Sequence, residues 1–382
     1  MHNNLIVVPA IVTNGAYITD TLNFVVDTGV NPTIILDTTL RNQLALNDDY
    51  RNVNIQGAIK DLVVKGQAIP FLNAYIDKLA FEQQTIIFLE KDLPYISYYA
   101  GIKVHGIVGY EFFRNLVITI DYEQKLLYCY TPKKFYKRKR RLKKLSSIPI
   151  TLAQNKPYVK ATLYKYNEQD TLQRTVNLLV DTGAGFSLSI EKRKKVKDFI
   201  PSTYKGKKIG TTLTGEILGE VGRLPYFELG TFGWQGVITS FPDSVKDEKL
   251  YRVDLNRDGI LGAGILSRFR LTFDYLNGKV WLRPNKKYKL PFQYALSGIE
   301  LVAIAPSYKM YKIARVYPNS IAQQVGLEKG DELVAINNTM ARKLRIGQIY
   351  NMIDKKVGQK VNLLVRRSGR LLYFSFRLQP VP

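Results

Sequence analysis

The feature that most constrains this chain is an internal repeat with fixed spacing. Val26-Asp27-Thr28-Gly29 returns 154 positions later as Val180-Asp181-Thr182-Gly183. Gly106-Ile107-Val108-Gly109 returns 153 positions later as Gly259-Ile260-Leu261-Gly262. In each copy a strand-like run then ends in Asp-Tyr, at Asp121-Tyr122 and Asp274-Tyr275, again 153 apart. Three landmarks in one register across roughly a hundred residues imply two copies of one unit, each folding the same way.

That unit is β-rich. Residues 5–12, 23–26, 115–121, 125–130, 178–180, 270–273 and 279–282 are dense in β-branched and aromatic side chains, with Asn14-Gly15 and Asn277-Gly278 as turn signals. Helical periodicity is sparse: short helices are expected over 39–46 and 191–199. A better one spans 344–356, where Ile346, Ile349, Tyr350 and Ile353 share a face. The first two-thirds is therefore expected to be mainly β and the last ninety or so residues α+β.

Composition removes several chemistries. With two histidines (His2, His105) and one cysteine (Cys129), no intramolecular disulfide or thiolate zinc site can form, and a Ser-His-Asp site would have to use His105. No apolar run approaches the ~18 residues of a spanning helix. Asp254, Asn256, Asp258 and Gly259 match the start of a calcium loop, but Ile265 stands where the bidentate Glu is needed, so no metal is expected. No cofactor motif is present either.

The repeated Asp is the candidate for chemistry. A single Asp-Thr-Gly reads as a turn. Here each follows an apolar strand (Phe24-Val25-Val26; Leu178-Leu179-Val180) and precedes another apolar stretch, so the carboxylate is at risk of burial. Two such units related by a pseudo-twofold axis would bring Asp27 and Asp181 together, and like charges at close range share one proton.

On these motifs the chain resembles the pepsin/retropepsin superfamily of aspartic peptidases, in the bacterial two-lobed single-chain form. The resemblance covers roughly residues 1–290 and rests on the four short motifs. It implies two pseudo-symmetric β-barrel lobes with Asp27 and Asp181 as catalytic dyad. Thr28 and Thr182 would lock the turns, and Gly29 and Gly183 would permit close approach. Ile107-Val108-Gly109 and Ile260-Leu261-Gly262 would pack behind the turns. Val30 and Ala184 stand where pepsin-like enzymes carry a hydroxyl that lowers a carboxylate pKa, so a less acidic optimum than pepsin's is expected. Residues 210–222 read as a lid hairpin in lobe two, with a less defined counterpart near 55–69.

Residues 318–338 resemble bacterial PDZ domains: a turn, a short helix ended by Gly326, a Gly330-Asp331 turn, and a strand closed by Asn337-Asn338. PDZ domains bind extended peptides by strand addition. The resemblance implies a groove from Gly298, Ile299, Glu300 and Leu301 together with Ile346, Ile349 and Ile353. Glu300 departs from the small residue usual there.

The expected domains are lobe one at 1–132, a basic linker at 133–145, lobe two at 146–289 and a PDZ domain at 290–382. The net charge of +24 is uneven: residues 1–132 carry −4, while Lys133 to Lys144 (KKFYKRKRRLKK) hold nine basic residues in twelve. That run reads as a solvated linker or a contact for an anionic surface; nucleic acid is disfavoured by the acidic first lobe. The expected function is an aspartic endopeptidase whose PDZ domain recruits substrate or gates the cleft. The alternative is a catalytically silent peptide-binding scaffold. Residues 148–154 have no upstream partner in the first copy, which suggests a missing strand. The family resemblance favours the cell envelope.

Overall fold

Alternation of apolar and polar residues builds the barrel walls. In β1 (Val7–Thr13), Val8, Ala10 and Val12 turn inward while Pro9 faces out. A computed structural model describes residues 4–47, 49–56, 63–137, 145–166, 171–192, 194–200, 209–212, 215–243, 257–293 and 295–380. The fold is mainly β, with two closed six-stranded barrels and a C-terminal sheet unit, as the repeat implies. It divides into two compact units: Asn3–Leu93 with His105–Pro291, and Pro94–Val104 with Phe292–Pro382.

The first barrel continues with β2 (Leu22–Val26), β3 (Thr33–Ile35), β4 (Arg51–Gln56), β5 (Val63–Ile76), β6 (Leu79–Leu89) and β7 (Gly106–Val108). Its order is β1-β2-β7-β3-β6-β5, closed by β5 on β1, with β4 added outside β5. After β8 (Val117–Asp121), β9 (Leu126–Tyr130) and β10 (Ser146–Pro149) comes the second barrel. It contains β11 (Thr151–Ala153), β12 (Lys156–Tyr166), β13 (Thr171–Val180), β14 (Leu188–Ile190), β15 (Gly210–Thr212), β16 (Gly215–Ile217), β17 (Gly219–Leu229), β18 (Phe232–Pro242) and β19 (Gly259–Leu261). Its order, β12-β13-β19-β14-β18-β17 closed by β17 on β12, repeats the first barrel strand for strand. β15 and β16 form a separate hairpin within the stretch expected as a lid, and residues 213–214 between them lie outside the described residues. Of the counterpart near 55–69, residues 57–62 likewise do.

Parallel pairing explains why the motifs follow unbroken apolar runs. β2 lies parallel to β7 and β13 parallel to β19, and such strands are covered on both faces. Phe24, Val25 and Val26 are all buried, as are Leu178, Leu179 and Val180.

β20 (Phe269–Asp274) and β21 (Lys279–Pro284) complete a five-stranded sheet, β10-β21-β20-β8-β9. At its centre β8 and β20 are antiparallel, with Thr119 opposite its repeat-mate Thr272 and their hydroxyls 2.8 Å apart. The Asp of each Asp-Tyr landmark caps a turn: Asp121 accepts from Glu123 and Gln124 N–H, and Asp274 from Asn277 N–H. The Lys133 run opens as a helix, Pro132–Tyr136, capped by Thr131 and pinned by buried Phe135 against Trp281 at a 5.5 Å ring separation. Residues 138–144 of that run lie outside the described residues.

Helix lengths fall short of the periodicity. Over 39–46 only Leu40–Gln43 is helical, because Ala45 takes a positive φ of 46°. Over 191–199 the observed element is a 3₁₀ turn, Lys194–Phe199.

The second unit has β22 (Ile299–Ile304), β23 (Met310–Val316), β24 (Glu332–Ile336), β25 (Thr339–Met340), β26 (Lys360–Arg367) and β27 (Arg370–Arg377), ordered β22-β23-β24-β26-β27 with β25 on β24. The helix Ile346–Ile353 starts where Gln348 turns back to accept the Arg345 N–H (2.8 Å). Its buried face, Ile346, Ile349 and Ile353, joins Ile299, Leu301, Tyr311, Ile336 and Val361 in the core. The Gly330-Asp331 turn is held by Asp331, which accepts from Glu328 N–H and pairs with Arg367 at 2.7 Å.

Candidate active site

Each motif turn leaves the barrel where its strand ends. The Asp27 N–H donates to Val108 O and the Asp181 N–H to Leu261 O, both at 3.0 Å, so β7 and β19 set the height of the two carboxyls. Within these strands Ile107 lies opposite Val25, and Ile260 opposite Leu179. The glycines that follow allow the fit. A side chain at Gly109 would stand 2.5 Å from the carbonyl oxygens of Val30 and Asn31, and one at Gly262 2.3 Å from that of Phe186.

The two turns are tied by a reciprocal hydroxyl pair. Thr28 Oγ1 donates to Val180 O (2.6 Å) and accepts the Thr182 N–H (3.1 Å). Thr182 Oγ1 donates to Val26 O (2.9 Å) and accepts the Thr28 N–H (3.1 Å). Both threonines are buried, so four backbone groups that water cannot reach are satisfied across the lobe boundary.

This pairing brings the carboxyls together. A side chain at Gly29 would meet Asp181 Cγ at 2.8 Å, and one at Gly183 would meet Asp27 Oδ2 at 2.2 Å. Each glycine therefore makes room for the opposite lobe's carboxyl, and the two carboxyls hydrogen-bond one another. They sit deep among surrounding atoms yet keep part of their surface accessible.

Their surroundings differ. Asp27 Oδ1 accepts from Gly29 N–H (2.7 Å), whereas Asp181 Oδ1 accepts from both Gly183 (2.8 Å) and Ala184 (2.9 Å). Burial, and then the Asp181 charge, hold the Asp27 carboxyl well above the usual carboxylate range. Burial also raises Asp181, but the hydrogen bond from Asp27, the two N–H donors and the Arg257 charge all oppose it. The second N–H donor favours negative charge on Asp181 over Asp27.

Two buried tyrosines within reach of the dyad's charge escaped the sequence reading as anything but landmarks. Tyr122 and Tyr275 are buried, and neither hydroxyl has a hydrogen-bond partner among the described residues. Burial raises both phenols; the Asp181 charge adds to it at Tyr122, and Tyr110, ahead of Asp27, at Tyr275. Their recurrence 153 residues apart was the available signal. His105 serves structure, its Nδ1 accepting the Asn23 N–H at 2.9 Å, and Asp258 accepts the Asn177 N–H at 2.8 Å. Asp254 and Asn256 lie outside the described residues.

In the second unit, Ile299, Leu301, Ile346, Ile349 and Ile353 are buried in the core. Gly298 takes φ +76° and lies where a side chain would meet Ser320 Cβ at 2.3 Å; Glu300 is half-buried on β22.

Comparison with known proteins gives the following. Residues 312–367 match the PDZ domain family. Among solved structures the chain is similar to an aspartic proteinase from Irpex lacteus, with 14% identity over 74% of this chain and 95% of that one and a TM-score of 0.42. A second is a photosystem II D1 C-terminal processing protease, with 18% identity over 22% of this chain and 23% of that one and a TM-score of 0.21. No curated protein matches the sequence.

Proposed function

We propose that the chain is an aspartic endopeptidase that hydrolyses peptide bonds with a water activated by Asp27 and Asp181, and that its PDZ domain handles peptide segments. The observation that carries this reading is the unequal solvation of two hydrogen-bonded carboxyls, one N–H donor on Asp27 against two on Asp181. Asp181, the anion, takes a proton from water as its oxygen attacks the scissile carbonyl carbon. Asp27 gives its proton to the carbonyl oxygen, forming a neutral tetrahedral diol. Collapse transfers the Asp181 proton to the leaving nitrogen and returns the hydroxyl proton to Asp27. The dyad thus ends with the single proton it began with. No step needs an imidazole or a thiolate, which suits a chain with two histidines and one cysteine.

The test is cleavage of a peptide library between about pH 3 and pH 8, the range over which a raised carboxyl pair can hold one proton. Activity lost in Asp27→Asn and Asp181→Asn, and blocked by pepstatin, supports the reading. A wild type that cuts nothing over that range sinks it and leaves a peptide-binding scaffold.

A further inference from the structure

Strand addition to a PDZ groove needs a free edge strand, an open apolar channel beside it and unoccupied backbone donors. β22 is the edge strand here, and the helix Ile346–Ile353 is the opposite wall. On β22 the backbone groups of Leu301 are already taken. The Leu301 N–H donates to the Tyr350 hydroxyl (2.8 Å), which donates back to Leu301 O (3.4 Å). At the loop before β22, Ser297 N–H and Oγ both donate to Asp354 Oδ1 at 3.1 Å, so a carboxylate of the chain itself occupies that position.

The channel is taken as well. Residues 94–104 lie between β6 and β7 of the first barrel in sequence, yet they belong to the second unit. The helix Tyr95–Ala100 packs along β22. Tyr98 packs on the unit's core and faces Tyr308 at a 6.5 Å ring separation. Gly101 lies so close to the groove that an added Cβ would be 2.7 Å from Ile346 Cγ2 and 3.9 Å from Ala303 Cβ, one atom from each wall. The segment is folded to fit. Gly101, at φ +71°, ends the helix with its N–H on Ser97 O (2.9 Å), and the Val104 N–H returns to Ser97 Oγ (2.9 Å). Ser97, Ala100 and Val104 are buried.

From this juxtaposition we infer that the PDZ groove is the receptor for the chain's own segment Pro94–Val104, so that a free peptide binds only by displacing it. This narrows the peptide-handling half of the reading above and does not depend on the catalytic half, because its readout is binding and not proteolysis. A tethered ligand competes at an effective concentration of ~1 mM, which lowers the apparent affinity for any free peptide.

The experiment titrates a fluorescein-labelled peptide with the sequence of residues 94–104, its C-terminus amidated, into the full chain and follows anisotropy. Gly101→Val, which places a side chain against Ile346, should evict the resident segment and bind the probe at least ~10-fold more tightly than wild type. Equal binding by both proteins overturns the inference, as does no binding by a folded variant. Hydrogen exchange covers the case in which Gly101→Val fails to fold. The Gly101 and Val104 amides should be protected in wild type and exchange faster in Tyr98→Ala. Unprotected amides in wild type, or protection unchanged in Tyr98→Ala, overturn the inference without reference to the first variant.

Discussion

The two motif turns carry the same residues on the same strands, and they differ by one hydrogen bond. In the second lobe the N–H of Ala184 reaches Asp181; in the first, Asp27 accepts from Gly29 N–H and from no other backbone donor among the described residues. Duplication alone would give two equivalent acids competing for one proton. A small backbone difference breaks that equivalence, and in the proposed reading it favours Asp27 as proton donor and Asp181 as acceptor.

Four perturbations break or sharpen this comparison, taken from the largest effect to the smallest. Asp27→Asn and Asp181→Asn should each lower peptide hydrolysis by ~10³-fold or more, since each removes one half of the proton relay. The larger effect on stability belongs to Asp27→Asn. Burial and the neighbouring charge raise the folded-state pKa of Asp27, so its contribution is present at low pH and lost as pH rises through that elevated value. Asp27→Asn should therefore gain in Tm over wild type as pH rises, in melts across a pH series; a variant tracking wild type at every pH would count against a proton held on Asp27.

Alanine at the two turn glycines comes next. At Gly183 the added Cβ lies 2.2 Å from Asp27 Oδ2, and at Gly29 2.8 Å from Asp181 Oδ2. Gly183→Ala should displace its carboxyl further and cost ~10²-fold in kcat, with Gly29→Ala the milder of the two. Steady-state kinetics showing the reverse order would contradict the geometry.

Thr28→Val and Thr182→Val should be matched. Each strands one buried N–H and one buried carbonyl, a cost of about 2–4 kcal/mol by denaturant titration. Because the two hydroxyls serve one network, the double variant should lose less than the sum. Unequal single losses would show that the lock is less symmetric than the bonds that form it.

The smallest effect is expected from Val30→Ser, which offers Asp27 a hydroxyl donor. The limb of the pH–rate profile set by Asp27 should move to lower pH, by less than about one unit. The wild-type profile itself should peak at less acid pH than pepsin's, since burial raises both carboxyls. A profile as acid as pepsin's would overturn that assignment.

The barrels were legible in the sequence because parallel pairing forces unbroken apolar runs ahead of each Asp, and because every landmark occurs twice. The dyad's partnership followed from the same repeat. Its asymmetry did not, since the Ala184 donor is a backbone N–H whose direction depends on turn geometry and not on side-chain type. Tyr122 and Tyr275 were visible as a recurrence, but nothing local told that they would be buried within reach of the carboxyls' charge. The placement of residues 94–104 was the least legible. Tyr-Ile-Ser-Tyr-Tyr-Ala has no strong periodicity, and its burial depends on Ile346, some 250 residues away in the chain.

The Thr119–Thr272 contact at the middle of the five-stranded sheet carries a last consequence. Each threonine faces its own repeat-mate, so the strand pair β8–β20 is self-complementary in the manner of an isologous subunit interface. One polypeptide thus encloses what two identical subunits would otherwise have to find by collision. The carboxyl pair, one from each half, is brought together at a rate and stability independent of dilution, and each half is free to diverge, as the single Ala184 bond already illustrates.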